Sequence, residues 1–261
     1  MYTTKMNCFD DRFTVSDVVP YSLPFFHSCD GFTFREILES GKLCASPCRI
    51  FKKENLLYLF YGRPAYKSSD DLSHIQGSLL PMIFILKNSI CITEKRIAPF
   101  DTGAFKRGLF KEYMHPKMKV DSFLMTLGQR GIQKTITYFF GSNENYYYGI
   151  PEALLDYDPM NFEIKSYHDL IKSTIPKKAD DRKASIEIQI GHDIQLSKDT
   201  VEAVVCPKEF TKSELFKRVV KEQWEADEIT YVSHMVPSKS YHPLVLHLLQ
   251  EYFKTKGYYD K

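Results

Sequence analysis

"FHSCDGFTFREILESGKL", residues 26–43, reads as the end of a strand passing into a short amphipathic helix. Thr33 can cap the helix, and Glu36, three residues on, can reach back to it in a capping box. Phe34, Ile37 and Leu38 fall at i, i+3 and i+4 and make one apolar stripe. Gly41 stands where a left-handed residue closes a helix, and Leu43 can pack back on the last turn. His27 follows the apolar run 23–26, so the pattern places it at a strand end, facing the mouth between strand and helix.

Outward from this stretch, the 261 residues are expected to form one domain, with an N-terminal extension over 1–20 and a helical elaboration over 207–261. A net charge of +2 does not point to a chain that coats nucleic acid non-specifically, and it leaves room for a local basic surface. Aromatics make up 14% of the chain, a content that suits β-rich packing. Of the six cysteines only Cys44 and Cys48 are close, and no second pair completes a zinc site, so the expectation is reduced thiols in a cytoplasm and no metal. There is no basic-then-apolar leader pattern, and the longest apolar run, "LLPMIFIL" at 79–86, is too short to cross a bilayer.

Strand signals, short and β-branched or aromatic, stand at 13–15, 56–61, 82–86, 89–93, 135–140, 185–190, 201–206 and 229–236, with a tight turn at Asn88-Ser89. Helix signals stand at 33–40, 105–113, 166–173, 211–224 and 241–256; the fourth opens on a Thr211–Glu214 capping box and the last carries Pro243 in its first turn. Mixed short strands with helices around the edges predict an α+β fold.

Three constellations carry candidate chemistry. His27 is either a satisfied, partly buried side chain or a neutral imidazole that donates one hydrogen bond to a sugar hydroxyl or a carboxamide. In "LLYLFYGRPAYK", residues 56–67, the strand ends at Tyr61 and the turn Gly62-Arg63-Pro64 holds Arg63 on a stiff corner, either as an exposed turn arginine or as a guanidinium preorganised for phosphate or carboxylate. In residues 180–210, Glu187 and Glu202 each stand near the start of a strand. Alternation places Ile186, Ile188 and Ile190 on one face of the first and Glu187 and Gln189 on the other. Such a carboxylate can steady a developing cation or act as a general base, or simply sit on a solvated face. The loop before Glu187 holds Lys172, Lys177, Lys178, Arg182 and Lys183, a solvated loop or a binder of polyanions. The tyrosine cluster "NYYYG", residues 145–149, reads as packing, with a base-stacking platform as the alternative.

Together these stretches resemble the ADP-ribosyltransferase superfamily, most closely the DarT-type toxins and related anti-phage enzymes. In that family an early strand ends in a histidine before a helix reading "ILESG-L"; here these are His27 and "REILESGKL". An aromatic strand then runs into a turn with arginine and proline, here "LYLFYGRPAY". A glutamate at the head of a later strand follows an arginine-containing loop, here Glu187, with Glu202 as second choice. The chain departs from the pattern at Cys29, where a threonine is usual, and at Phe32-Thr33, where an asparagine is often seen.

The resemblance implies a split mixed β-sheet with peripheral helices and an NAD-dependent mono-ADP-ribosyltransferase acting on an RNA or DNA base. Alternatives are a protein acceptor, NAD hydrolysis, or a non-catalytic module on the same fold. It assigns NAD contacts to His27, Ser28, Cys29, Tyr61 and Tyr66, catalysis to Glu187 and Arg63, and acceptor contacts to Lys177, Lys178 and Arg182. No metal takes part. A toxin of this kind implies a neutralising partner, an antitoxin or chaperone protein, and no membrane association.

Overall fold

The computed structural model describes residues 8–65, 77–153, 157–173, 181–234 and 238–259. In chain order the regular elements begin with β1 (Phe25–Asp30), α1 (Gly31–Ser40), β2 (Lys42–Leu43), β3 (Ser46–Pro47), β4 (Asn55–Tyr61), β5 (Pro81–Leu86) and β6 (Glu94–Ala98). Next come α2 (Thr102–Lys106), α3 (Gln129–Phe140), α4 (Asn143–Tyr148), α5 (Phe162–Lys172), β7 (Ile186–Ile190), β8 (Ile194–Gln195) and β9 (Val201–Pro207). The chain closes with α6 (Glu214–Phe216), β10 (Asp227–Tyr231) and α7 (His242–Lys256). The fold is mixed α/β, with helices peripheral to a mixed sheet. Its contacts gather into two compact units: residues 1–21, 49–52 and 94–189, and residues 22–48, 53–93 and 190–261. Among the described residues, no helix is long and apolar enough to cross a membrane.

The second unit is built on strands in the order β10-β9-β5-β1-β4, with β3 folded onto β4. β5 pairs antiparallel with β1, from Phe25↔Leu86 to Asp30↔Pro81, and with β9, from Ile83↔Val205 to Leu86↔Val201. β10 runs parallel to β9. Every residue of β5 is buried, which explains an unbroken apolar run where a half-exposed strand would alternate. Pro81 sits at the strand's first position, where a missing N–H is tolerated.

α1 buries the stripe Phe34, Ile37 and Leu38 read from the sequence, and Gly41 closes it at a φ of +69°. Its cap is Asp30, not Thr33: the Asp30 carboxylate accepts the Thr33 N–H at 2.8 Å. A Cβ on Gly31 would stand 2.6 Å from the Gly77 carbonyl oxygen, so the helix start admits only glycine without a shift. α7 buries Val245, Leu249 and Phe253, one side of the helix, with proline in its first turn.

The first unit is organised by aromatic rings. Phe9 stacks on Phe139 at 5.8 Å, Phe13 on Tyr138 at 4.4 Å, and Tyr167 meets Phe139 edge-on at 4.7 Å. These rings come from α3, α5, the short turn Phe9–Arg12 and Phe13 just after it, so here the aromatic content serves helix packing, not the β-rich packing expected.

The largest correction is α3. Residues 135–140 were expected to be a strand. Ile132, Thr135, Ile136, Phe139 and Phe140 are all buried at helical spacing, and that period overrides the β preference of the residue types. The strand expected at 89–93 is a turn and loop; β6 begins only at Glu94. The segment 13–15 is irregular, and β10 covers 227–231 in place of 229–236, of which 235 and 236 lie outside the described residues. The helix expected at 105–113 is the five-residue α2 followed by turns, and α4 is a helix the reading omitted. Over 211–224 the α-helix is short and continues as a π-helix, Lys217–Gln223, in which the Trp224 N–H reaches back five residues to the Val219 carbonyl at 3.0 Å.

Candidate functional site

Glu187 lies on β7, and both faces of that strand are buried. Alternation holds in direction but not in consequence: the polar face of Glu187 and Gln189 points into the interior of the first unit, not into solvent. A carboxylate there needs donors in place of water. Thr102 supplies two, its backbone N–H at 3.1 Å to Oε2 and its hydroxyl at 2.7 Å to Oε1. The Gln189 amide donates to Glu187 Oε1 at 2.7 Å and to Thr102 Oγ1 at 3.1 Å. Arg96 in turn donates to Gln189 Oε1 at 3.0 Å, which fixes the amide's orientation, and its guanidinium lies 4.3 Å from the centre of the Phe51 ring.

The supports of this cluster are local. Asp101 caps α2 by accepting the Ala104 N–H at 2.7 Å, and so sets the position of Thr102, the first helical residue. Arg182 pairs with Asp101 at 3.4 Å and its carbonyl accepts the Asp101 N–H at 3.1 Å. Tyr146 accepts the Ile186 N–H at 3.0 Å, tying α4 to the start of β7, and the rings of Tyr146 and Tyr147 are buried. Burial above all, and then the negative Asp101, push the Glu187 carboxyl up to about 8, against the downward pull of Gln189 and Thr102. A glutamate with that proton affinity changes charge near neutrality.

The second unit holds the residues assigned to NAD. His27 is the third residue of β1, inside the strand and not at its end. Its Nδ1 lies 3.1 Å from the Tyr58 carbonyl, an acceptor, so Nδ1 carries the hydrogen and the neutral ring offers Nε2 as an acceptor. Burial lowers its pKa, which favours that neutral form. His27 was expected to donate to a ligand; in this arrangement it receives. Beside it, the Ser28 hydroxyl is buried and has no hydrogen-bond partner among the described residues. Burial raises the Cys29 thiol, helped by Asp30, and keeps it protonated.

Tyr61 is a core ring. It packs edge-on to Phe25 at 6.0 Å, and its hydroxyl accepts the Leu23 N–H at 3.2 Å, so a nicotinamide would reach it only after that packing opened. Gly62, at a φ of +63°, turns the chain out of β4, its N–H bonded to the Pro24 carbonyl at 2.8 Å. Arg63 follows and is 4% exposed, so the exposed turn arginine is ruled out. Arg182 is spent on Asp101 and is also buried, so it does not lie on a free basic loop. Tyr66, Lys177 and Lys178 lie outside the described residues. Glu202, the second choice for the acid, accepts from the hydroxyls of Tyr252 and Tyr258 at 2.8 and 2.5 Å and so clamps the C-terminal helix region onto β9.

Thr102 and Arg96 were missed by the sequence reading. "FDTGAF", residues 100–105, carries a capping aspartate that would have started the helix at Thr102, and Gln189 was already placed on the face of Glu187. Among the described residues no three His, Cys, Asp or Glu side chains gather to hold a metal. No family model, curated protein or solved structure matches the chain.

Proposed function

We propose that the chain is an NAD-dependent mono-ADP-ribosyltransferase of the DarT-like kind, acting on an RNA or DNA base as a bacterial toxin or anti-phage effector. The observation that carries this reading is Glu187. It stands on the strand where the resemblance puts the acid, held by Thr102 and Gln189, with a carboxyl raised to about 8. With that pKa the proton is held through neutral pH and released as pH rises through about 8; the released form steadies a developing cation and takes a proton from an attacking base, so activity rises towards pH 8. NAD supplies the ribose carbon whose bond to nicotinamide breaks. His27 Nε2 accepts from a hydroxyl or amide of the co-substrate, and the Ser28 hydroxyl, buried without a partner among the described residues, suits a second such contact. Arg63 is assigned the diphosphate or the acceptor.

Incubation of the protein with labelled NAD and DNA, RNA or cell lysate tests the reading. Label moves to nucleic acid with the wild type and falls roughly a hundredfold or more with Glu187→Gln, the scale of a lost proton-transfer group. Label in a protein band that survives nuclease selects a protein acceptor, and free ADP-ribose without an acceptor selects hydrolysis. No transfer, or equal transfer by the variant, overturns the reading. A non-catalytic module has its own observation: Glu187, Arg63 and Tyr61 are 1%, 4% and 0% exposed. The absence of any NAD-dependent thermal shift selects that module.

A further inference from the structure

α5 has two distinct sides. Ile164, Tyr167, Leu170 and Ile171 are buried and hold the helix to its unit. Phe162, Lys165 and Ser166 fall at i, i+3 and i+4 and make a separate patch, on which Phe162 is 57% exposed. His115, Lys117 and Met118 form another wall of the same groove, a cavity of about 560 Å³. That volume is in the range of small-molecule sites, roughly 300–1,000 Å³.

The chemistry of the walls selects the occupant. The Lys117 N–H donates to His115 Nδ1 at 3.2 Å, so an uncharged His115 carries its hydrogen on Nε2 and is a donor there. Glu163, the acid in the wall, is compensated by Arg12 at 2.9 Å, and both side chains are about four-fifths enclosed. Lys165 pairs with Asp169 one turn on, but that pair is half in water and exchanges readily for a better anion. The groove thus joins a flat apolar ring and a thioether to two ammonium groups and an imidazole donor. A phosphate attached to a planar base complements all of these; an acidic peptide uses only the charges.

We propose that this groove binds a nucleotide unit, with its base on Phe162 and its phosphate on Lys117 and Lys165. Stacking of this kind is tolerant of sequence, so no base is preferred. The inference stands apart from the chemistry assigned to Glu187, because binding is read with no NAD present.

The test is fluorescence anisotropy of the whole chain with a short labelled oligothymidylate, with AMP and a polyglutamate peptide as competitors. Phe162→Ala weakens binding roughly tenfold, and Phe162→Tyr leaves it near wild type. Lys117→Glu/Lys165→Glu weakens it and flattens its salt dependence, whereas Lys208→Glu/Lys212→Glu, exposed in the other unit, does not. The substituted side chains are exposed, so each variant keeps the wild-type melting curve. Displacement of the strand by AMP, sensitive to Phe162→Ala, assigns a free nucleotide; strand binding that AMP does not displace assigns a nucleotide within a chain. The proposal is overturned if neither probe binds, if the Phe162 and lysine variants bind as the wild type does, or if polyglutamate competes as well as the strand.

Discussion

His27 shows how a single hydrogen bond decides what a side chain can do. With Nδ1–H held by the Tyr58 carbonyl, the ring meets a ligand only through the Nε2 lone pair. Nitrogen-15 NMR at neutral pH should therefore find Nδ1 protonated and Nε2 bare; a protonated Nε2 in the neutral ring contradicts the assignment. The same logic governs Glu187, whose Oε1 receives both the Thr102 hydroxyl and the Gln189 amide. Gln189→Leu removes one donor and leaves the carboxylate less solvated, so its pKa rises further and any proton-linked activity shifts to higher pH; an unchanged pH profile counts against Gln189 as the positioning group. At this scale the sequence was informative about residue types and silent about burial. Alternation put Glu187 and Gln189 on one face, but only the packing of the first unit turns that face inward. Arg63 and Tyr61 went the same way, because a turn and an aromatic strand look alike whether or not another layer covers them.

Elements were legible where chemistry at both ends agreed with the pattern between. α1 has a capping residue, a stripe and a closing glycine; α7 has an early proline and a closing glycine; β5 has a dense apolar run bounded by a proline. α3 was misread because isoleucine, threonine, tyrosine and phenylalanine favour strands by type while their spacing favours a helix, and spacing won through the rings it buries. Phe139→Ala should then cost about 3–5 kcal/mol in denaturant unfolding, since Phe9, Phe13, Tyr138 and Tyr167 all pack on that ring; a loss below 1 kcal/mol would show that α3 is not the organising helix. Gly31→Ala tests the close approach at the start of α1. Its Cβ meets the Gly77 carbonyl at 2.6 Å and the Met82 Cε at 3.3 Å, and a backbone oxygen yields little. The gain in helix propensity is smaller than the overpacking, so destabilisation of about 1–3 kcal/mol is expected where an open site would have been stabilised.

For the whole molecule, the buried acid sets a dependence of stability on pH that runs against the usual carboxylate trend. The Glu187 carboxyl moves from 4.5 in the unfolded chain to about 8 when folded, so between those values the native state holds a proton that the unfolded state has released. Its contribution to stability is complete below pH 4.5 and is lost as pH rises through about 8. At 1.36 kcal/mol per pKa unit the ceiling of that loss is about 5 kcal/mol. His27 acts in the other direction. Its lowered pKa means that the unfolded chain binds the proton first, so it favours folding as pH rises towards 6.5. The total curve mixes these and every other titrating group, and comparison with Glu187→Gln separates them: the variant keeps the His27 contribution and a neutral side chain that can still accept from Thr102. Urea unfolding at pH 5, 7 and 9 should show the variant gaining on the wild type at each step, with most of the gain complete by pH 9. Parallel curves would mean that Glu187 folds as an anion, with Thr102 and Gln189 outweighing both its burial and Asp101.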